Sequence, residues 1–237
     1  MALSQQSTYV PNTGFGRERL RCRGAMAEVD PDRILGILTA HRAILASGGD
    51  RLVQARHWRP VTRVESGGAE YAVKQYARGS AGSRLRRLVA GSRAGDAIRR
   101  FGILEALGIA AAPPIAIVES PAAQEPESYL ITRWIHGPSP SQQMRAFHEG
   151  RDEEARSAFL ERGGRWLARL HDSGVWMNDC WDGNFVVAES GGLVIVDYDS
   201  AHFARLNGEW QLRNLRQFYR AFREGDSAAD RSRFARA

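Results

Sequence analysis

Asp179, Asn184 and Asp197 are the residues of this chain whose types and spacing are best suited to chemistry. Asp179 and Asn184 lie five residues apart in a polar loop, and Asp197 follows thirteen residues after Asn184. Apolar runs at 185–187 and 193–196, joined by Glu-Ser-Gly-Gly, predict a β-hairpin that holds two carboxylates and one amide at one mouth. Oxygen ligands of this kind suit Mg²⁺ when substrate phosphates complete its coordination. The pattern therefore predicts a phosphoryl-transfer site, the alternative being a polar turn.

The composition is that of an ordinary globular protein with a basic surface. The 237 residues suffice for one large domain or two small lobes, and 43% are hydrophobic. No apolar run is long enough to span a membrane, no signal peptide is visible, and two cysteines are too few for a disulfide scaffold, so we expect a cytoplasmic protein. The net charge of +6 comes almost entirely from arginine, since Lys74 is the only lysine. A basic chain attracts nucleic acid, anionic membranes or phosphorylated substrates.

The pattern of apolar residues predicts a β-rich part, a linker and a helical part. Residues 1–28 lack periodicity and predict a loose arm. Strands are predicted at residues 52–56, 61–65, 70–76, 115–118 and 128–134. Helices are predicted from Asp30 to residue 47, over 83–107 with a break near Gly91, over 152–171, and near 208–223 and 226–236. A Gly- and Pro-rich linker at 136–140 separates an N-lobe, residues 29–136, from a C-lobe, residues 137–237.

These segments together resemble a protein-kinase-like fold, of class α+β, with a small β-rich N-lobe and a compact, mainly helical C-lobe. The run 70–74, EYAVK, resembles the V-A-I-K strand, whose lysine contacts nucleotide phosphates. Ala72 shares a strand face with Lys74 and leaves room for an adenine ring. Asp179 and Asn184 resemble the D-x-x-x-x-N catalytic loop, and Asp197 begins a triplet in the place of D-F-G. The resemblance implies that Asp179 accepts the acceptor's hydroxyl proton, that Asn184 and Asp197 hold Mg²⁺, and that Lys74 steadies the phosphates of ATP.

The resemblance also implies where the rest of the nucleotide binds. The run 130–135, LITRWI, is similar to the kinase hinge, whose backbone would bind adenine near Arg133 and Ile135. No G-x-G-x-x-G covers the phosphates; the corresponding loop contains Arg56 and Arg59, which would neutralise phosphate charge.

The chain is identified as a member of the lipopolysaccharide kinase (Kdo/WaaP) family, from about residue 50 to its end. The resemblance rests on residues 56–78, the arginine-rich 83–100, 104–119, and the run LHDSGVWMNDCWDGNFVV with VDYDS. It implies an ATP-dependent kinase that phosphorylates a hydroxyl of an inner-core sugar, Kdo or heptose. Such an acceptor is anchored in the cytoplasmic leaflet, so the basic enzyme would act as a peripheral protein at the inner membrane.

Several residues depart from the kinase pattern and keep alternatives open. Met177 stands in place of the usual histidine, and Asp199 in place of the D-F-G glycine. Either Glu105 or Asp96 would be the helical acid that pairs with Lys74. The alternatives are a kinase-like enzyme with a protein or small-molecule acceptor, and a catalytically impaired pseudokinase scaffold. Nucleic acid is not an expected partner, because no motif for binding it is recognised.

Overall fold

The computed structural model describes residues 30–55, 59–77, 92–119, 128–204, 208–220 and 234, together with the backbone of residues 5–9 and 19–23. The chain divides into two units. The first comprises Met1–Phe101 and Pro113–Trp134, and the second comprises Gly102–Ala112 and Ile135–Ala237. The predicted nucleotide-binding Arg56, the first part of the arginine-rich helix and the last predicted helix lie outside the described residues.

Helix α1, Pro31–Ser47, begins and ends where the sequence predicts. The Asp30 side chain caps it by accepting a hydrogen bond from the Asp32 N–H at 3.0 Å, and Pro31 occupies the first position. Gly48 follows the helix with a φ of 72°, a left-handed conformation that glycine adopts without strain. The local sequence alone therefore fixes both ends of this helix.

One face of α1 supplies a large part of the core of the first unit. Ile34, Ile37 and Leu38 are at most 1% exposed, which corresponds to about 1.5–3 kcal/mol of stabilisation for each side chain. They join a cluster of buried sheet residues, namely Val64, Tyr71, Val73, Ile115, Ala116, Val118, Tyr129 and Ile131. Because alternate residues of a strand point to opposite faces, α1 covers only one face of the sheet.

Within the described residues, seven strands form one antiparallel sheet in the order β1-β2-β6-β7-β5-β4-β3. They span Gln5–Tyr9, Arg19–Arg23, Leu52–Gln54, Val61–Ser66, Ala69–Tyr76, Pro114–Glu119 and Ser128–Arg133. The five predicted strands are confirmed as β3 to β7, with ends shifted by one or two residues. Gly67 and Gly68 connect β4 to β5 with φ values of 57° and 71°, as a two-residue hairpin turn requires.

The N-terminal segment departs from the predicted loose arm. Its backbone forms β1 and β2, which pair with each other and then extend the sheet beyond β6, where Leu20 lies opposite Val118. The physical reason is the open edge of β6, whose unpaired N–H and C=O groups accept another strand. Such pairing between distant segments leaves no local periodicity that a sequence reading could detect.

Residues 102–112 also depart from the predicted lobe boundaries, because they belong to the second unit rather than the first. The Ala112 N–H donates to the Ile195 carbonyl at 2.8 Å, and the Ile195 N–H donates to the Ala110 carbonyl at 3.0 Å. These bonds pair the segment that follows helix α2, Arg93–Ala106, with the hairpin of the second unit. Helix α2 begins after Ser92, at the predicted break.

A buried histidine joins α1 to the sheet. His41 is 0% exposed, and its Nδ1 lies 2.7 Å from the Thr62 hydroxyl. Its Nε2 lies 3.2 Å from Gln75 Oε1, and its ring meets Tyr129 edge-on at 5.8 Å. Burial lowers the pKa of His41 from 6.5 to about 4, outweighing the hydrogen bond to Gln75. The imidazole is therefore neutral in the folded protein at physiological pH.

We expect this histidine to make stability fall on mild acidification. Between pH 6.5 and about 4 the unfolded chain binds a proton that the folded protein does not, so the free energy of unfolding decreases as the pH falls through this range. From pH 7 to pH 5 the loss is about 2 kcal/mol. Urea unfolding of the wild type and of His41→Gln at both pH values measures it. The variant should lose less stability than the wild type, and equal losses would contradict the assignment.

Among the described residues, the second unit contains the end of α2, three further α-helices, one short 3₁₀ helix and two small β-pairs. Helices α3, α4 and α5 span Pro140–Glu149, Glu153–Asp172 and Gly208–Tyr219. Strands β8, β9, β10 and β11 span Val175–Met177, Phe185–Val187, Leu193–Ile195 and Ala201–Phe203. β9 pairs with β10 as the predicted hairpin, and β8 pairs with β11. None of the described helices has the length and apolar character needed to cross a membrane.

Aromatic packing holds these elements together. Trp166 of α4 stacks on Phe218 of α5 with ring centroids 5.4 Å apart, and meets Phe185 of β9 edge-on at 5.3 Å. Trp176 of β8 stacks on His202 of β11 at 4.3 Å. Trp176 also lies 4.3 Å from Trp210 of α5, measured between ring centroids, and Phe185 of β9 meets Phe218 of α5. Helix α5 therefore contacts both β-pairs, which flank the polar loop of residues 178–184.

Candidate active site

The loop that contains Asp179 is held by two side chains of α5. Asn214 is 0% exposed; its Oδ1 accepts from the Met177 N–H at 3.0 Å, and its Nδ2 donates to the Met177 carbonyl at 2.6 Å. One turn further along, Gln217 donates to the Asn178 carbonyl at 3.3 Å and accepts from the Cys180 N–H at 3.4 Å. Asp179 lies between these fixed backbone groups and is exposed.

Asn184 connects Asp179 to Asp197. Its Nδ2 donates to the Asp179 carbonyl at 2.6 Å, and its own carbonyl accepts from the Val196 N–H at 2.9 Å, which continues the ladder of the β9–β10 hairpin. Asp197 is the next residue of the chain. The structure thus brings Asp179, Asn184 and Asp197 to one loop and hairpin mouth within the second unit, as the sequence predicted.

The triplet at 197–199 forms a tight turn around a buried aromatic ring. Asp197 Oδ1 accepts from the Asp199 N–H at 3.1 Å, and Tyr198 is 1% exposed. An aspartate that bonds to the backbone two residues on forms an Asx turn, which fixes its carboxylate relative to the chain. Asp199, in place of the expected glycine, is half-buried and compatible with this turn.

The two residues after Asp179 differ sharply in environment. Burial, reinforced by the neighbouring Asp179, raises the pKa of the Cys180 thiol, so this cysteine stays protonated and is not a nucleophile. Trp181 is instead 48% exposed. Its indole lies against Gly183, where an added Cβ would come within 2.8 Å of the ring. The loop therefore presents an aromatic surface beside Asp179, with the indole packed against the backbone of Gly183.

Lys74 and Ala72 lie in β5 of the first unit. Lys74 is opposite Val61 of β4 and Leu130 of β7, and Ala72 is opposite Thr132. Both face away from α1, because Tyr71 and Val73 of the same strand contact that helix. Lys74 is 8% exposed, with its Nζ 5.7 Å from the centroid of the Tyr76 ring. The shared face predicted for Lys74 and Ala72 is thus present.

The hinge-like segment uses two of its amides within the sheet. The Arg133 N–H donates to the Pro113 carbonyl and the Trp134 N–H donates to the Glu70 carbonyl, both at 3.0 Å. Among the described residues, none accepts a hydrogen bond from the next amide, that of Ile135. The Arg133 side chain is exposed, with its guanidinium 5.8 Å from the Tyr71 ring centroid. Arg59 is half-buried at the start of β4.

The donor atoms in the second unit fit a hard cation. Because Nδ2 of Asn184 donates to a carbonyl, Oδ1 is the atom of this amide that remains for a ligand. Together with the Asp197 carboxylate it offers the oxygen ligands that Mg²⁺ prefers alongside substrate phosphates. The described residues contain no group of three or more His, Cys, Asp or Glu suited to a metal. Mg²⁺ bound by one or two protein oxygens takes its remaining ligands from water and substrate phosphates.

Comparison with known proteins gives the family. The model of the lipopolysaccharide kinase (Kdo/WaaP) family matches residues 49–237. The chain belongs to the lipopolysaccharide kinase (Kdo/WaaP) family. A solved structure described as WaaP in complex with acyl carrier protein is 21% identical, with a TM-score of 0.58 over 87% of this chain and 85% of that chain. That likeness shows the kinase-like fold. No curated protein matches the chain.

Members of the lipopolysaccharide kinase family phosphorylate sugar hydroxyls of lipopolysaccharide, so this protein is a phosphotransferase with an alcohol group as acceptor, and the family implies ATP as donor. The match begins just after α1, so this helix lies outside the region that the family model recognises.

The acid that pairs with Lys74 in this kinase stays a prediction between two candidates. Asp96, in the same unit as Lys74, forms an ion pair with Arg99 one turn along α2. Glu105 is exposed near the end of α2 and belongs to the second unit.

Sequence reasoning missed the side chains that hold the loop containing Asp179. Asn214 and Gln217 are three residues apart on α5, and therefore share a face that also carries the buried Phe218. Polar residues on an inward face are the signal that could have found them, since a buried amide must have a partner. With Met177 held through its backbone by Asn214, a histidine at that position is not needed to anchor the loop.

Proposed function

We propose that this protein transfers the γ-phosphoryl group of ATP to a hydroxyl of an inner-core lipopolysaccharide sugar, Kdo or heptose. The observation that carries the proposal is the bonding of Asn184 to both Asp179 and Val196, because it brings the proposed base and the two proposed metal ligands to one loop and hairpin. The family supplies the substrate class.

Asp179 would act as the base in this reaction. The acceptor hydroxyl oxygen forms a bond to the γ-phosphorus while the bond from that phosphorus to the β-bridging oxygen breaks, releasing ADP. The hydroxyl proton passes to the carboxylate of Asp179, whose backbone is held on either side by the bonds of Asn178 and Cys180 to Gln217. Asn184 and Asp197 would hold Mg²⁺, which supplies positive charge to the phosphate oxygens when bound.

Residues of the first unit, together with Ile135 directly after it in the chain, would bind the rest of the nucleotide. Lys74 carries a charge that its buried strand position holds in one place, as phosphate binding requires. The small Ala72 on the same face leaves space for adenine, whose edge would meet the Ile135 amide and the Arg133 backbone. Arg59, with Arg56 from the same loop, would add charge near the phosphates.

An exposed aromatic surface supports a sugar as acceptor. Trp181, 48% exposed and two residues after Asp179, offers an indole on which the apolar face of a sugar ring can stack. A lipid-anchored acceptor would bring the enzyme to the cytoplasmic face of the inner membrane as a peripheral protein. The net charge of +6 favours that surface, which is anionic.

Nucleotide-dependent stabilisation tests the proposal before any acceptor is known. A ligand that binds only the folded protein at a hundred times its Kd adds about 2.7 kcal/mol, which raises the Tm of a chain of this size by about 5 to 10 °C. We expect this shift with Mg²⁺ and a non-hydrolysable ATP analogue, and its loss on adding EDTA. No shift at millimolar nucleotide would favour a scaffold function.

The acceptor is tested by transfer from labelled ATP. Delipidated inner-core oligosaccharide should be labelled, and a generic protein mixture should not. Labelling of the protein mixture alone would identify a kinase of the same fold with a different acceptor.

A further inference from the structure

Asp182, in the middle of the catalytic loop, is bound to the start of another helix. Its Oδ1 accepts from the Ser141 N–H at 2.8 Å, and its Oδ2 accepts from the hydroxyls of Ser139 and Ser141, each at 2.8 Å. These donors lie at the N-terminus of α3, where the helix dipole and N–H groups favour a carboxylate. Both oxygens of Asp182 therefore have partners inside the protein.

Helix α3 does not need Asp182 for its own cap. The Ser139 hydroxyl accepts from the Gln142 N–H at 3.4 Å, while Gln142 Oε1 accepts from the Ser139 N–H at 2.8 Å. This reciprocal pair is a complete capping box. The three bonds to Asp182 are additional to this cap. They therefore serve mainly to restrain the position of the loop that contains Asp182.

The segment before α3 is bound to the catalytic hairpin at a second point. The Val187 N–H of β9 donates to the Pro138 carbonyl at 2.9 Å. A Cβ on Gly137 would lie 2.1 Å from the Val187 carbonyl oxygen, so the close approach requires glycine there. Residues 137–141 are thus joined to the hairpin on one side of Asn184 and to Asp182 on the other.

The short 3₁₀ helix Asp182–Asn184 connects this point of attachment directly to Asn184, the proposed metal ligand. Its first residue is Asp182 and its last is Asn184, whose N–H donates to the Trp181 carbonyl at 3.1 Å. A shift of Asp182 would turn this helix and move Asn184 Oδ1. Because Asn184 Nδ2 also holds the Asp179 carbonyl, the base would move with it.

We infer that Asp182 is a positioning residue for phosphoryl transfer, which acts through Asn184 by fixing the 3₁₀ helix to the start of α3. The inference rests on the proposed function. It assigns Asp182 no contact with the acceptor, because three internal donors already occupy its carboxylate.

Two substitutions separate positioning from simple stability. Asp182→Ala removes all three bonds, and we expect kcat to fall about 10- to 100-fold, since a displacement of about 1 Å costs a reaction this much. The affinity for Mn²⁺ in the presence of ADP, measured by electron paramagnetic resonance, should fall about 10-fold. Gln142→Ala is the matched control, because it breaks the capping box of α3 without touching Asp182. It should lower the Tm and leave kcat and Mn²⁺ affinity unchanged.

A double-mutant cycle shows whether Asp182 acts through Asn184. In an Asn184→Ala background, Asp182→Ala should have no further effect on Mn²⁺ affinity. Asp182→Asn, which keeps the acceptor for the Ser141 N–H, should retain most of the wild-type affinity. If Asp182→Ala has the same Mn²⁺ affinity and the same kcat as Gln142→Ala, the inference about Asp182 is overturned while the proposed function stands. If the wild type binds no Mn²⁺ with ADP, the proposed function itself fails and the inference with it.

Discussion

Asp197→Ala is expected to lower the rate of phosphoryl transfer by about 10³-fold while leaving the protein folded. The carboxylate is the only full negative charge among the two proposed metal ligands, and removing a group that stabilises charge in the transition state costs about 10²- to 10³-fold or more. The fold should survive, because the hydrogen bond that Asp197 accepts from the Asp199 N–H at 3.1 Å is worth about 1 kcal/mol. Initial rates with saturating ATP and acceptor measure the effect.

Two further variants distinguish the effect of the negative charge at Asp197 from the effect of any nearby negative charge. Asp197→Asn keeps an oxygen acceptor for the Asp199 N–H but loses the charge, so it should be nearly as inactive as Asp197→Ala. Glu189→Gln removes one negative charge from the exposed turn of the same hairpin and should leave the rate unchanged. An Asp197→Ala protein that keeps more than a tenth of wild-type activity would contradict the metal assignment.

Asn214→Leu is expected to lower the free energy of unfolding by about 2 to 6 kcal/mol. Leucine fills a similar volume but leaves the Met177 N–H and C=O buried without their partners, and each unsatisfied group costs about 1 to 3 kcal/mol. Chemical unfolding measures the change, and nucleotide binding at a temperature where the variant is folded would show whether the loop has moved.

Gln217→Leu is the matched comparison for this substitution. It lies one turn away on the same helix and holds the same loop, but its bonds of 3.3 and 3.4 Å are longer and its side chain is partly exposed. We expect Gln217→Leu to lower the free energy of unfolding by less than about 1 kcal/mol, because water can replace the Gln217 amide as the partner of these backbone groups. Equal decreases in the free energy of unfolding for Asn214→Leu and Gln217→Leu would mean that Asn214 contributes through packing rather than through its bonds to Met177.

Local patterns predicted most of the elements that carry the site. The cap at Asp30, the glycine pair at 67–68 and the apolar runs around 185–187 and 193–196 each act within a few residues, so the sequence alone placed α1, the β4–β5 hairpin and the β9–β10 hairpin. The predicted gathering of Asp179, Asn184 and Asp197 follows from that hairpin, because antiparallel register fixes which residues meet.

What the sequence could not predict depends on partners far along the chain. Nothing local distinguishes Asp182 from a simple turn residue, because its serine partners lie 41 and 43 residues earlier. Asn214 bonds a backbone 37 residues away, and nothing local marks which backbone groups would need it. The pairing of β2 with β6 likewise joins segments separated by about a hundred residues, so the N-terminal segment read as an arm.

Helix α1 bears on which residues a folded domain of this enzyme must include. The match to the family model starts at residue 49, yet Ile34, Ile37 and Leu38, which precede it, complete the hydrophobic core of the first unit. A fragment cut at the limits of homology would display a bare apolar sheet to water. The segment that the family model matches, residues 49–237, is therefore shorter than the segment that forms the hydrophobic core.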